Sequence, residues 1–204
     1  EFETRIKRML EKELGQKVSP EFVCELKIDG LKIVLEYEKG RLRTAATRGD
    51  GVIGEDVTNN IRTIRSVPLV LQEPLDLVAE GEIWMPKKSF DAVNIEREKK
   101  GEPLFANPRN AAAGTLRQLD PKIVAERKMD SFIYDFSLLS NTQGDVKTQE
   151  EELEFLQKVG FKVNKNFKLC RNIEEVIEFW KDWHDKSKYQ DYLIDGVVVK
   201  VNEK

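Results

Sequence analysis

The sequence predicts an α+β fold in which antiparallel β-sheets are flanked by helices. Three observations lead there. Residues 22–47 read as three short runs with period-two alternation, broken at Asp29-Gly30 and Lys39-Gly40. Further apolar strand-like runs follow at Leu75–Trp84, Ser131–Leu139 and Asp195–Val201. Between and beside them lie stretches whose apolar residues recur at helical spacing. At 204 residues the chain is long enough for one sizeable core, or a core with a small appendage.

In chain order, Phe2, Ile6, Met9, Leu10 and Leu14 mark an amphipathic helix that Gly15 stops, with its apolar face on the core. Phe22–Asp29 is the first strand. It puts Glu25, Lys27 and Asp29 on one face and Cys24, Leu26 and Ile28 on the other. Leu31–Glu38 is the second, with Leu31, Ile33, Leu35 and Tyr37 on one face; Lys39-Gly40 turns into the third, Arg41–Thr47. An antiparallel meander is expected. Arg48-Gly49-Asp50-Gly51 and Gly54 form a glycine loop, after which Glu55-Asp56 opens a helical pattern through Val57, Ile61 and Ile64. Leu75–Trp84 carries Glu80 and Glu82 beside Gly81 on a largely apolar strand, which points to a polar site or to an edge strand with a wet face. Pro86–Lys100 reads as an exposed, charged helix.

Asn107 suits an N-cap, Pro108 the first helical turn, and Asp120-Pro121 a stop; Ala111–Gly114 permits close packing. Arg109 and Arg117 fall about 80° apart around that helix, so both can face one phosphate-bearing partner or simply solvent. Ser131–Leu139 is an apolar strand with Tyr134, Asn141–Gln149 a polar loop, Glu152–Val159 a helix and Phe161–Leu169 extended. Asn172 caps a helix through Ile173, Val176, Ile177 and Trp180. His184, near its end, has no place in the chemistry. Asp195–Val201 reads as a buried strand that brings Lys200 to a site.

Composition narrows the class. Hydrophobic residues are 40% and charged residues 35%, ordinary for a soluble globular protein. The net charge of −3 carries no whole-chain signal for nucleic acid, so any basic surface is local. Cys24 and Cys170 make neither a disulfide framework nor a metal cluster and read as reduced thiols of a cytoplasmic protein. No apolar run approaches the roughly 18 residues of a membrane span, so no membrane partner is expected. A start at Glu1 and a stop just after an apolar strand read as an excised piece of a longer protein.

Glu25-Leu26-Lys27-Ile28-Asp29-Gly30 sets a lysine between two carboxylates. A lysine amine is a nucleophile once its proton is removed, yet at the reference pKa of about 10.4 only about one in a few thousand is neutral at pH 7. Neighbouring carboxylates favour the charged form. A metal or arginines would have to push back. The same hexapeptide also fits a hairpin with a surface salt-bridge ladder.

Longer runs go further. Ala46–Gly51, Gly54–Thr58 and Arg62–Arg65, then Phe105–Pro121, then Asp195–Asn202, occur in this order with the Lys27-Ile28-Asp29-Gly30 motif. Together they resemble the nucleotidyltransferase core of bacterial NAD⁺-dependent DNA ligases over almost the whole chain. The lysine motif by itself is shared with ATP-dependent ligases and capping-type nucleotidyltransferases, the alternative reading; a non-catalytic nucleotide-binding or DNA-scaffolding module is another. The resemblance implies an ATP-grasp-like covalent nucleotidyltransferase core over residues 21–204, preceded at 1–20 by a linker helix from an upstream domain that grips nicotinamide mononucleotide. It implies NAD⁺ as AMP donor, Mg²⁺, and nicked duplex DNA.

By matching position, Lys27 becomes the adenylated residue, with Asp29 and Asp195 in the catalytic set. Glu25 meets the adenine, Arg48 the ribose or nucleotide end, Tyr134 stacks on the base and Lys200 meets the adenylate. The resemblance gives Glu82 the ribose or a metal, Asp195 a metal or the positioning of the nucleotide, and Arg109 and Arg117 the phosphate and DNA contacts. The family's further lysine motif and its oligonucleotide-binding (OB) fold, zinc finger, helix-hairpin-helix and BRCT modules are not in this sequence.

Overall fold

A computed structural model of the chain describes residues 2–139 and 146–203. The elements are α1 (Phe2–Leu14), β1 (Phe22–Ile28), β2 (Leu31–Glu38), β3 (Arg41–Thr47), α2 (Thr58–Ile61), β4 (Leu77–Trp84), α3 (Lys87–Lys99), α4 (Pro108–Leu116), α5 (Pro121–Glu126), β5 (Asp130–Leu138), α6 (Gln149–Lys158), β6 (Lys168–Cys170), α7 (Ile173–Lys186) and β7 (Ile194–Val201). They form a four-stranded antiparallel sheet ordered β3-β2-β4-β5 and a three-stranded antiparallel sheet ordered β6-β1-β7. The α+β class with antiparallel sheets is therefore as the sequence predicts.

The expected meander is not. β2 and β3 form a hairpin through Lys39-Gly40, both with positive φ, but β1 pairs with β6 and β7 and belongs to the other sheet. Asp29-Gly30 is a crossing between sheets rather than a hairpin turn. Burial explains the choice. Ile33, Leu35 and Tyr37 of β2 are fully buried in one cluster with Leu77, Ala79 and Ile83 of β4, while Phe22, Cys24, Leu26 and Ile28 of β1 are buried in a second with Trp84, Phe132, Val176 and Phe179. Val23, on the other face of β1, enters the first cluster. Both faces of β1 thus remove apolar surface from water, at about 1.5–3 kcal/mol per large side chain, and a β1–β2 hairpin would give that up.

Gly30 makes the crossing possible. A Cβ there would sit 2.4 Å from the Ile83 carbonyl oxygen and 2.8 Å from Glu82 Cγ, so only glycine lets this backbone lie against β4.

Several helices differ in extent. The pattern from Glu55 to Ile64 condenses to the single turn α2, because Asp56 bridges back to Ala46 and its carboxylate accepts from the Thr58 backbone N–H and hydroxyl at 2.9 and 2.6 Å. α6 begins at Gln149, three residues before the expected start, where Thr148 and Glu151 form a capping box. Phe161–Leu169 is largely irregular; only Lys168–Cys170 pairs, against β1. α1 touches the core at its edge: Phe2 packs on Phe22 with ring centroids 6.3 Å apart and Ile6 joins the second cluster, but Met9 and Leu14 stay exposed. The expected polar loop at 141–149 lies outside the described residues over 141–145.

α4 matches its sequence signals. The Asn107 side chain accepts from the Asn110 N–H at 2.8 Å, Pro108 opens the helix, and Ala111 and Ala112 are fully buried against the sheet. Arg117 lies one residue past the end of α4 as its C-cap, so the 80° helical angle does not set its direction. Cys24 and Cys170 are free, buried thiols with sulfurs 3.7 Å apart; burial pushes the Cys24 thiol up to about 12.

Candidate active site

A cavity of about 460 Å³ lies where β1, β2, β4, β5 and β7 converge with the loop after β3 and the two ends of α4. Eight of the ten residues singled out in the sequence line it: Glu25, Lys27, Arg48, Glu82, Arg109, Arg117, Tyr134 and Lys200. Asp29 and Asp195 join them through ion pairs. Asp29 Oδ1 accepts from Arg109 Nη1 at 3.1 Å, and Asp195 Oδ2 from Lys27 Nζ at 2.5 Å. A larger cavity of about 700 Å³ lies between α3 and α5, lined by residues such as Lys88, Glu96 and Arg127. The smaller one is taken as the site because the lysines, arginines and carboxylates of the sequence motifs converge there.

Two β-bulges aim site residues. Lys27 is opposite Gly196 and Ile28 is opposite Ile194, which leaves Asp195 as the extra residue in β7. Gly81 is opposite Ile133 and Glu80 is opposite Asp135, which leaves Tyr134 as the extra residue in β5. A bulge bends its strand and redirects the side chain it carries. Strand alternation in the sequence cannot reveal this, because the extra residue is defined only by its partner strand.

Several of the charges at the cavity are paired. Lys200 Nζ lies 3.0 Å from Glu25 Oε1 and 5.6 Å from the centroid of the Tyr134 ring. Arg117 Nε donates to Glu55 Oε2 at 2.6 Å, and Lys32 Nζ lies 2.5 Å from Glu80 Oε2. Glu25 is only 9% exposed; burial raises its carboxyl above the usual range, partly opposed by Lys200. Burial also pushes Glu82 up to about 7, against the pull of Arg109, Lys27 and Lys32, with Asp29 adding to the rise. Burial and the surrounding carboxylates raise the Tyr134 phenol, so it stays neutral.

The loop after β3 is preformed. Asp50 Oδ1 accepts from the backbone N–H groups of Ile53 and Val52 at 2.8 and 2.9 Å, which holds its carboxyl below the usual range. Gly49 has φ +53°, and a Cβ there would meet the Ile53 carbonyl oxygen at 1.7 Å. Arg48 stands exposed at the start of this loop, on the cavity rim.

Lys32 and Gln149 escaped the sequence reading; Glu55 was legible only as a helix-start acid, whereas Glu80 was read with Glu82 as the mark of a polar site. Among the described residues, no group of three or more His, Cys, Asp or Glu side chains could by itself hold a metal ion. Mg²⁺ characteristically takes one or two carboxylates and completes its shell with phosphate oxygens and water. A half-buried carboxyl at about 7, as in Glu82, is one that a divalent cation would ionise. Asp29 is the carboxylate that raises Glu82, whereas Asp195 is engaged by Lys27.

The chain matches the NAD-dependent DNA ligase adenylation domain over residues 1–204. It is 54% identical to a DNA ligase of Thermotoga neapolitana over 202 residues, covering 99% of this chain and 28% of the relative. It is 50% identical to a DNA ligase of Bacillus cereus over 186 residues, covering 91% of this chain and again 28% of the relative. The chain thus spans little more than a quarter of these relatives' length. Among solved structures, a mycobacterial DNA ligase D complexed with ATP and MES aligns with TM-score 0.50 at 13% identity, over 90% of this chain and 49% of that one. Pmar-Lig_PreS3 aligns with TM-score 0.53 at 13% identity, over 99% of this chain and 47% of that one. At such identities these two establish the shared fold, while the family model and the close relatives carry the assignment: the chain belongs to the NAD-dependent DNA ligase adenylation domain family.

Proposed function

We propose that this chain is the adenylation core of an NAD⁺-dependent DNA ligase, with Lys27 as the nucleophile. Lys27 Nζ forms a bond to the α-phosphorus of NAD⁺ as the bond to the bridging oxygen breaks. Nicotinamide mononucleotide leaves, and the amine loses its proton. AMP then passes to the 5′-phosphate at a DNA nick, and the 3′-hydroxyl displaces AMP to seal the strand. The observation that carries this reading is the Lys27–Asp195 pair at 2.5 Å beside the cation-lined cavity, in a chain of this family. In-line displacement at phosphorus asks a protein mainly for positioning and charge stabilisation.

The residues divide that work. Asp195 orients Lys27 through their ion pair, and attack requires the pair to separate and the amine proton to be passed on. Arg109, turned by Asp29, and Arg117, turned by Glu55, present guanidinium groups suited to phosphate, on the 5′-phosphate side of the nick. Arg48 reaches the ribose or nucleotide end from the rim. Tyr134 offers its ring face to the adenine and Glu25 an acceptor to its edge, with Lys200 beside both. Glu82, with Asp195 once Lys27 releases it, would hold Mg²⁺, which supplies charge neutralisation at the phosphates when bound.

α1 and residues up to Pro20 are read as the link from an upstream domain that grips nicotinamide mononucleotide, and residues 21–204 as the adenylation domain. The chain's 28% share of its relatives leaves room for that domain and for the OB-fold, zinc-finger, helix-hairpin-helix and BRCT modules. A cytoplasmic setting agrees with two free thiols; no helix among the described residues is long and apolar enough to cross a membrane. The family match favours NAD⁺ over ATP or a capping-type donor. The test is incubation of the chain, joined to the upstream domain, with labelled NAD⁺ or ATP, followed by mapping of the labelled peptide. Adenylate from NAD⁺ on Lys27 supports the reading; label from ATP alone, or on another lysine, overturns it.

A further inference from the structure

We propose that Gln149, held in turn by Glu152, is a positioning residue that locks Lys200 against Glu25 at the nucleotide site; the inference rests on the adenylation reading above. A lysine ammonium has three donors and no acceptor. Lys200 Nζ faces three acceptors: Glu25 Oε1 at 3.0 Å, the Tyr134 carbonyl oxygen at 3.3 Å and the Gln149 amide oxygen at 2.9 Å. The Gln149 NH₂ donates to Glu152 Oε2 at 2.9 Å. The opposite amide orientation would set NH₂ against the ammonium and oxygen against the Glu152 carboxylate. It would leave Gln149 only long bonds, 3.3 Å to Glu25 Oε1 and 3.5 Å to the Tyr134 carbonyl oxygen, so electrostatics selects the first orientation.

Glu152 is 1% exposed and accepts from the Phe136 backbone N–H at 2.9 Å, two residues beyond Tyr134 on β5. The first turn of α6 is itself fastened to the end of β7. The Gln149 N–H donates to the Asn202 carbonyl oxygen at 2.7 Å, and the Glu150 N–H to Asn202 Oδ1 at 3.2 Å. The strand that carries the tyrosine and the strand that carries the lysine are therefore joined through a buried amide as well as by the direct Lys200–Tyr134 bond.

A fold that needed only core filling at Gln149, which is 5% exposed, would be served by an apolar side chain at no desolvation cost. This one instead commits its acceptor to a lysine that lines the cavity. With all three donors engaged, the ammonium has lost its rotational freedom before any nucleotide arrives. Glu25 and Tyr134 are held with it, which lowers the ordering cost of binding.

The test is AMP affinity of the chain by calorimetry, with thermal unfolding in parallel, for Gln149→Met, Lys200→Ala and the double variant. Gln149→Met removes the amide at similar volume. It should weaken AMP binding about tenfold, as loss of a hydrogen bond to a charged group does. With Lys200 already replaced by alanine, Gln149→Met should cost less than twofold more, because Gln149 acts through that lysine. Glu152→Leu, which removes the acceptor that orients the Gln149 amide, should reproduce the tenfold loss. If Gln149→Met unfolds the chain, Gln149→Asn, which keeps the amide but shortens its reach, takes its place in the cycle. Equal losses with and without Lys200, or unchanged affinity in a folded variant, would overturn the proposal. Absence of AMP binding by the unaltered chain would instead overturn the adenylation reading beneath it.

Discussion

Lys27 and Asp195, 168 residues apart in the chain, meet at 2.5 Å because β1 and β7 lie side by side and β7 bulges at Asp195. The nucleophile proposed here is thus positioned by an irregularity in the sheet. Lys27→Ala should take up no covalent AMP, yet in the longer polypeptide should still seal a nick that already carries adenylate. Lys27→Arg should fail equally, since guanidinium stays protonated. Peptide mass mapping after incubation with NAD⁺ checks both, and adenylate on a different lysine of the variant would remove Lys27 from the mechanism.

Tyr134 is expected to act through its ring. Tyr134→Phe should leave AMP affinity nearly intact, whereas Tyr134→Ala should weaken it by about 1–3 kcal/mol, by analogy with base–aromatic stacking. Calorimetric titration separates the two. A folded alanine variant that binds AMP normally would rule out the stacking role.

Glu82 makes stability depend on pH. Its folded pKa, about 7, lies above the ordinary 4.5, so the folded state holds the proton more tightly than the unfolded state. Stability contributed at low pH is therefore lost as pH rises from about 4.5 through about 7, the reverse of a salt-bridged carboxylate. Glu82→Gln should leave stability at pH 4 unchanged and raise it at pH 8 by on the order of 2 kcal/mol, after discounting for partial exposure. Urea titrations of both proteins at the two pH values decide it. Equal stabilisation at both would mean that the carboxylate is not the titrating group. In the same window, Mg²⁺ binding at this carboxylate should strengthen as pH rises.

Gly30→Ala should be costly despite its small size. The added Cβ would meet backbone of β4, which cannot move aside as a flexible side chain would. Overpacking of this kind costs about 1–3 kcal/mol. In a chain of this length each kcal/mol lowers Tm by about 2–4 °C. Thermal unfolding measures it, and AMP affinity should fall with it because Glu82 is displaced. An alanine variant as stable as the parent would show that the crossing has slack.

The chain by itself should bind AMP but adenylate slowly with NAD⁺. The proposed adenine and ribose contacts lie within it, while those to the leaving group are placed in the upstream domain. Binding energy on the remote half of a substrate is what positions the reacting centre. A time course of AMP incorporation, with and without that domain, gives the comparison. Comparable rates would place the leaving-group site within residues 1–204.

By itself the sequence determined where most of the strands run, the buried face of β2, the capping of α4, and eight of the residues that line the cavity. Each of those follows from alternation, turn chemistry or a contiguous motif, all of which are local. Sheet membership was decided only in three dimensions. β1 left the expected meander because both of its faces could be buried between two clusters, a preference invisible from its own alternation. The aim of Asp195 and Tyr134 was likewise decided by partner strands, since a bulge exists only relative to a neighbour. Arg117 was turned toward Glu55 by the end of α4 rather than by helical periodicity. Gln149 was hidden because a glutamine opening a polar-looking helix gives no sign that it will be buried. Its role depends on β7 and β5 arriving on either side of it, and those contacts span more than ten residues of chain that no local pattern records.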